Sequence, residues 1–312
     1  MLTNQTEFPL ISIVLATYNG AKFLRTQLDS VLQQDYPNLE IIVTDDNSSD
    51  DTLAIIESYQ SKHPFLQIIK SKINQGYIKN FEQGCKLAKG EYVALCDQDD
   101  QWHPQKISKL YAAIDAAALV YANSILCNEN MEPIGVTIAD RVNCKNFSSP
   151  LEQAIFCRIY GHAMLIRNDF LQRIFPFPTI IPHDWWIAYT ATVNGGIRYI
   201  PDQLAWYRQH SNNVFGAVGG KRNKAQEAQA ALKEKQIAQE RIELFYSYCP
   251  ADLAQEKMVL GKLNQYYHGS GIFNNLQRMV LFFKYHQQLL ASKKRSQVRQ
   301  WLFCLKMFVK II

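Results

Sequence analysis

The sequence predicts an α/β fold with a mostly parallel sheet, flanking helices and a helical C-terminal extension. Three observations predict it. Short apolar runs rich in β-branched residues alternate with amphipathic stretches from Leu10 to Cys96, the pattern of parallel strands joined by crossover helices. Three of those runs stop at polar clusters, Thr17-Tyr18-Asn19, Asp45-Asp46 and Asp97-Gln98-Asp99-Asp100. In such sheets, ligands bind beyond the carboxyl ends of the strands. After Gly216 the composition turns rich in Ala, Gln, Glu and Lys, which favours helix.

Taken in order, Leu10–Ala16 reads as a buried strand ending at the turn Thr17–Gly20. Phe23, Leu24, Leu28, Val31 and Leu32 keep helical spacing between Ala21 and Gln34. Leu39–Thr44 is a second buried strand, followed by a helix at Thr52–Ser61 and a third strand at Leu66–Lys70. Asn80–Lys89 is helical and closes at Gly90, a C-cap residue. Tyr92–Cys96 is the fourth strand and runs into Asp97. Beyond it, Leu119–Leu126, Ala163–Ile166 and Ile197–Ile200 read as strands, Met131–Gly135 as a turn region and Leu151–Arg158 as a helix. Gly219-Gly220-Lys221-Arg222 reads as a linker, so residues 1–216 form one domain and 217–312 a basic helical extension.

The 312 residues are 47% hydrophobic and 20% charged. That supports a packed core and excludes global disorder. The net charge of +5 hides a division: residues 1–220 hold 17 Lys and Arg against 22 Asp and Glu, whereas 221–312 hold 16 against 6. An acidic body with a basic tail points to an anionic partner for the tail. Seven scattered cysteines without a CxxC exclude a disulfide framework or zinc site and fit free thiols in a reducing cytosol. Met1–Pro9 shows no signal pattern, and no run of about 20 apolar residues marks a membrane span.

The polar clusters carry the chemistry. If the chain stays extended, Asp97 and Asp99 face the same side. Their hard oxygens suit Mg²⁺ or Mn²⁺ together with substrate phosphates, and such a metal neutralises a departing diphosphate. The plain alternative is an acidic turn with Asp100 capping the next helix. In Asp45–Asp50, Asp46 or Asp45 faces the site and accepts the imide N–H of a pyrimidine, while Ser49 or Asp50 caps a helix. Asp184, within His183-Asp184-Trp185-Trp186, suits a partly desolvated general base whose aromatic neighbours support a sugar ring, or else a cap for a helix starting at Trp185. Arg208 and His210 grip diphosphate oxygens or belong to a solvated loop.

At this point the chain resembles a known family. ISIVLATYNG (11–20), IIVTDDNSSDDT (41–52), NQGYIKNFEQGCKLAKGEYVALCDQDDQW (74–102), HDWW (183–186) and YRQHSNN (207–213) look like the motifs of family 2 inverting nucleotide-sugar glycosyltransferases, over residues 10–216. The resemblance implies the GT-A (Rossmann-like) fold. It implies that Thr17, Tyr18 and Asn19 line the nucleotide pocket, Asp46 reads the pyrimidine, and Asp97 and Asp99 form the metal pair. Asp99 is the more direct metal contact, Asp184 deprotonates the acceptor hydroxyl, and Arg208 and His210 touch the diphosphate. Many members carry an acidic pair where this chain has His183-Asp184, which leaves Asp184 as the carboxylate there. HDWW and YRQHSNN further resemble the rhamnosyltransferase branch of bacterial surface-polysaccharide synthesis.

The implied reaction moves a sugar, rhamnose first, from a dTDP- or UDP-linked donor to a growing surface glycan or lipid-linked acceptor, with Mg²⁺ or Mn²⁺ as cofactor. A non-catalytic binding module on the same scaffold is the alternative, and the intact acidic positions oppose it. A nucleotidyltransferase would need a Gly-rich phosphate loop, and only Gly20 stands there. Val298–Ile312 mixes aromatic, aliphatic and basic residues, which fits an interfacial anchor on the inner face of the cytoplasmic membrane or a helix packed on the body. No nucleic-acid recognition motif occurs.

Overall fold

The computed structural model describes residues 8–210 and 224–311. The domain boundary at 216, the linker Gly219–Arg222 and Ser211-Asn212-Asn213 lie outside the described residues.

The first half alternates as the sequence predicts: β1 (Ile11–Thr17), α1 (Leu24–Leu32), β2 (Leu39–Asp45), α2 (Thr52–Gln60), β3 (Leu66–Lys70), α3 (Tyr77–Leu87) and β4 (Tyr92–Cys96). Both faces of β1 and β4 are buried, which is why their sequences read as unbroken apolar runs. The order β3-β2-β1-β4 is parallel throughout, so the carboxyl ends of β1, β2 and β4 share one edge.

The opposite edge, where β1, β2 and β4 begin, is tightly built as well. Glu40 accepts hydrogen bonds from the Ser12 hydroxyl (2.5 Å) and from the Lys89 and Gly90 amides (2.6 and 3.2 Å). α3 already ends at Leu87, so Gly90 is not its cap. A Cβ there would lie 2.6 Å from the Ser12 nitrogen, and close packing of two backbones is what requires glycine.

The second half is mixed. It comprises β5 (Gln101–Trp102), α4 (Lys106–Ile114), β6 (Leu119–Cys127), β7 (Pro133–Thr137), α5 (Ile138–Arg141), α6 (Leu151–Ala154), β8 (Met164–Arg167), α7 (Asn168–Arg173), α8 (His183–Thr192) and β9 (Ile197–Arg208). β8 runs antiparallel to both β4 and β6, β9 parallel to β6, and β5 antiparallel to β9. The described strands order as β3-β2-β1-β4-β8-β6-β9-β5, with β7 paired to β6.

Three readings of the sequence change here. The helix expected over Leu151–Arg158 ends at Ala154. The stretch around Met131–Gly135 is not only a turn, because β7 returns along β6 as a hairpin. β9 does not stop at Ile200 but continues through Pro201 to Arg208. Proline cannot donate to the ladder, and the register slips there between Ala122 and Ser124. That continuation carries Arg208 to the Asp99–Asp100 turn.

The extension forms α9 (Lys224–Tyr248), α10 (Ala254–His268), α11 (Ile272–Leu289) and α12 (Gln297–Lys306). Its apolar residues join the core of the body. The Phe245 ring stacks on Tyr189 of α8 at 3.8 Å, and the Tyr189 hydroxyl donates to the Phe245 carbonyl at 2.6 Å. Arg241 lies over Trp185 at 4.5 Å, and Tyr248 meets Trp186 edge-on. The Asn143 amide donates to the Ser292 carbonyl and the Ser292 hydroxyl to the Phe156 carbonyl, both at 3.1 Å, joining body and extension. Among the described residues no helix is long and apolar enough to cross a membrane.

Candidate active site

The edge formed by β1, β2 and β4 gathers two groups of side chains. On the β1–β2 side the loops lock together. The Asn19 amide donates to the Ser48 hydroxyl (2.9 Å), and the Ser49 amide returns a bond to Asn19 Oδ1 (2.8 Å). Asn19 and Asn47 both adopt left-handed backbone (φ 47° and 63°), which asparagine tolerates better than most residues. Asp45 is buried and accepts bonds from Thr17 Oγ1 (2.9 Å) and the Ser48 amide (2.9 Å). Asp46 accepts the amides of Gln75 and Gly76, one on each oxygen, both at 2.8 Å. Thr17 and Asp46 are therefore buried wall residues, each 1% exposed, while Tyr18 and Asn19 reach the surface. The Gln98 amide bridges to Tyr18, accepting from its N–H (2.8 Å) and donating to its carbonyl (3.1 Å).

On the β4 side the chain turns at Gln98-Asp99. The strand alternation that would align Asp97 with Asp99 is therefore lost. Asp97 instead meets Asp100 and His162, whose ligand-type atoms lie within 4.8 Å of one another. Asp99 turns toward His210, with Oδ2 2.7 Å from Nε2. Asp100 caps no helix: it is fully buried, and Oδ1 accepts the Arg208 amide at 3.0 Å. Among the described residues its Oδ2 has no hydrogen-bond partner, and it stands 3.7 Å from His162 Nδ1.

Burial dominates the electrostatics. It pushes Asp97 up to about 7, helped by the charges of Asp99 and Asp184. Burial also raises Asp100 well above the usual carboxylate range, again with Asp99 and Asp97 adding. His162 is lowered to about 3 by burial and by Lys106, so its ring is neutral. Its Nε2 is 2.9 Å from the Ser124 hydroxyl, which leaves Nδ1 toward the carboxylates. Behind them lies Lys106, fully buried, its ammonium 3.5 Å from the centre of the Trp102 ring and donating to the His162 carbonyl. Burial lowers it to about 7 against the opposing pull of Cys96, Asp100 and Asp97.

Two carboxylates and a neutral imidazole, one oxygen lacking any partner, are a donor set that fits a divalent ion such as Mn²⁺. The orphaned Asp100 oxygen and the raised carboxylates are the features that a cation would relieve.

Arg208 is 4% exposed and builds the wall. Its Nε donates to the Asp99 carbonyl (2.6 Å), a further nitrogen donates to the Glu129 carbonyl, and the guanidinium lies over Phe23 at 4.3 Å. His210 packs on the same ring at 5.0 Å.

Asp184 lies in the first turn of α8, half-buried, with Oδ1 accepting the Trp185 amide at 2.7 Å. Burial raises its carboxyl to about 6, partly offset by backbone N–H groups including those of Trp185 and Gly161. The helix begins at His183, so Asp184 is inside it rather than before it. Trp185 and Trp186 donate their indole N–H groups to the carbonyls of Gln153 (2.6 Å) and Ile174 (3.0 Å). Trp186 is buried and anchors α8 rather than offering a sugar platform, and Trp185 is half-buried. His183 is buried too, stacked on Phe81 at 4.4 Å, and burial lowers it to about 3.

Sequence reasoning did not single out His162, Ser124 or Lys106. The one available signal was the Gly161-His162 pair just ahead of β8. A lone histidine entering an apolar strand reads equally well as a core residue.

Residues 12–175 match the family model described as glycosyl transferase family 2. An uncharacterized glycosyltransferase of Nostoc sp. is 27% identical over 233 residues, covering 72% of each chain. An uncharacterized protein of Mycobacterium tuberculosis is 30% identical over 227 residues, covering 69% of this chain and 63% of that one. In fold, the chain is similar to S. aureus TarS residues 1–349 in complex with UDP-GlcNAc (TM-score 0.58, 20% identity, covering 96% of this chain and 80% of that one). It is also similar to the mannosyltransferase PcManGT of Pyrobaculum calidifontis in complex with GDP-Man and Mn²⁺ (TM-score 0.54, 17% identity, covering 96% and 80%). At these identities the structural likeness is one of fold, GT-A in type. With residues 12–175, more than half of its length, matching the family model, the chain belongs to glycosyl transferase family 2 and is a glycosyltransferase.

Proposed function

We propose that the protein moves a sugar, rhamnose first, from a pyrimidine-diphosphate donor to a growing surface glycan or lipid-linked acceptor with inversion at the anomeric carbon. The observation that carries this reading is Asp184: a half-buried carboxylate with its pKa raised to about 6 and its charge felt by Asp97. A base near the working pH is what deprotonation of a hydroxyl requires. The base abstracts the acceptor proton, the freed oxygen attacks the anomeric carbon, and the bond to the diphosphate oxygen breaks on the opposite face.

Asp97, Asp100 and His162 would hold a divalent ion, with Asp99 and His210 beside them. When bound, that ion supplies positive charge for the departing diphosphate. The base of the donor lies against Tyr18 and Asn19. Asp46 holds the Gln75–Gly76 loop there, and each of its oxygens keeps a lone pair for a pyrimidine imide. Arg208 fixes the Asp99–Asp100 turn against the diphosphate side. The complexes of the two fold neighbours, one with UDP-GlcNAc and one with GDP-Man and Mn²⁺, support a nucleotide-sugar donor. The workplace proposed is the cytoplasm, at the inner face of the membrane where lipid-linked acceptors are extended.

A panel of dTDP-, UDP- and GDP-sugars, assayed for transfer and donor hydrolysis with and without chelator, tests this. Metal-dependent turnover should be highest with dTDP-rhamnose. Turnover with GDP-sugars alone would overturn the pyrimidine assignment, and a rate indifferent to chelation would overturn the metal.

A further inference from the structure

α12 carries apolar residues on two opposite faces. Phe303, Cys304 and Met307 are buried, with Phe303 edge-on to Phe156 of the body at 5.6 Å. The other face exposes Val298 (61%), Trp301 (45%), Leu302 (54%) and Leu305 (51%), continued by Val309 (78%) just past the helix end. Their spacing of i, i+3, i+4, i+7 and i+11 makes one stripe. Arg299, Lys306 and Lys310 are exposed beside it. Packing on the body therefore accounts for only half of the helix's apolar residues.

Charge narrows what covers the rest. From residue 257 to 312 the sequence holds ten Lys and Arg and not one Asp or Glu. A second copy docking face to face would bring these cations against one another. A bilayer with anionic headgroups offers counter-charge along the whole stripe and demands no matched hydrogen bonds. The helix has 10 residues, too short to span a bilayer and suited to lying in its surface. An indole favours that depth.

We propose that the outer face of α12 is a docking surface for an anionic phospholipid bilayer, with the Val298–Val309 stripe at the acyl boundary and Arg299, Lys306 and Lys310 among the headgroups. The inference rests on the proposed function only for the leaflet it meets, and donor, acceptor and linkage do not enter it.

The test is co-sedimentation of the full chain with vesicles of phosphatidylcholine alone or mixed with phosphatidylglycerol, at low and high salt. The wild type should pellet with the mixed vesicles at low salt and be released by high salt. Combined Arg299→Gln, Lys306→Gln and Lys310→Gln should lower the partition coefficient on the order of 100-fold. Trp301→Glu with Leu305→Glu should abolish pelleting while circular dichroism and transfer to a soluble acceptor stay at wild-type levels. Wild-type protein that stays in the supernatant with anionic vesicles, or variants that pellet like the wild type, overturn the proposal. A wild-type dimer in light scattering that Leu305→Glu dissociates also overturns it and assigns the face to self-association. Because no donor is present in the pelleting assay, its failure leaves the transferase reading intact.

Discussion

Asp184→Asn separates a catalytic role from its energetic cost. Burial raises the Asp184 carboxyl from 3.8 to about 6. An acid whose folded pKa lies above its unfolded one destabilises the fold once ionised. The penalty is absent below about pH 4, grows between about 4 and 6, and is complete above that. The shift corresponds to roughly 3 kcal/mol at 1.36 kcal/mol per unit, and the half-open position reduces it to about 1–3 kcal/mol. Asparagine keeps the shape and the acceptor for the Trp185 amide but carries no charge. It also removes a charge that raises Asp97, an effect of the same sign. In chelator at pH 8 the variant should therefore melt roughly 2–8 °C above wild type, and the gap should close toward pH 4. Chelator matters because a bound cation favours the ionised carboxylates. Transfer with metal and a matched donor and acceptor should fall about 10²–10⁴-fold, and the wild-type rate should decline about tenfold per pH unit below pH 6. A variant that melts lower at pH 8 would refute the raised pKa, and one that transfers at the wild-type rate would refute the base.

His162→Ala should weaken Mn²⁺ binding by more than Ser124→Ala, which should cost about 10–100-fold as the loss of a ligand's outer partner; calorimetry without nucleotide reads both. Asp99→Ala should abolish transfer while the thermal midpoint stays within a few degrees, and a wild-type rate would remove Asp99 from the site. Gly20→Ala would drive a methyl into the Gln98 amide, a flexible end that can swing away, so stability should barely change while the donor KM rises several-fold; an unchanged KM would count against the Gln98–Tyr18 bridge as part of the pocket. Phe245→Ala should cost about 3–5 kcal/mol and lower kcat along with it, read by denaturant unfolding and initial rates.

What could be read from the sequence follows from what local pattern encodes. β1, β2 and β4 were legible because strands buried on both faces read as continuous apolar runs. The direction of β8 was not, since Ala163–Ile166 looks the same whichever way it pairs. β9 looked short because Pro201 resembles a strand stop, and a register slip that absorbs it leaves no trace in composition. In the site, Asp97 and Asp184 were legible as carboxylates at element ends. The partnership of Asp97 with Asp100 rather than Asp99 was hidden, because a turn at Gln98-Asp99 cancels the strand alternation on which the expectation rested. Lys106 follows helical spacing like any surface lysine. Its buried ammonium is accounted for by groups far apart in sequence: the His162 carbonyl, the Trp102 ring, and the nearby Asp100 and Asp97.

The extension packs against the helix that carries Asp184. The HDWW segment invites a sugar-binding reading because aromatic residues flank an acid. In the structure those rings face inward, and they are the means by which α8 is gripped. Trp185 lies under Arg241, Trp186 meets Tyr248, and Tyr189 stacks on Phe245, three contacts between the helix that carries Asp184 and α9. A base must stand within hydrogen-bond reach of the proton it takes, and misplacement of about 1 Å can cost on the order of 100-fold in rate. The extension therefore does more than append a basic surface. α9 holds α8 from behind, so if Asp184 is the base proposed above, the helical tail fixes where it stands and body and tail act together.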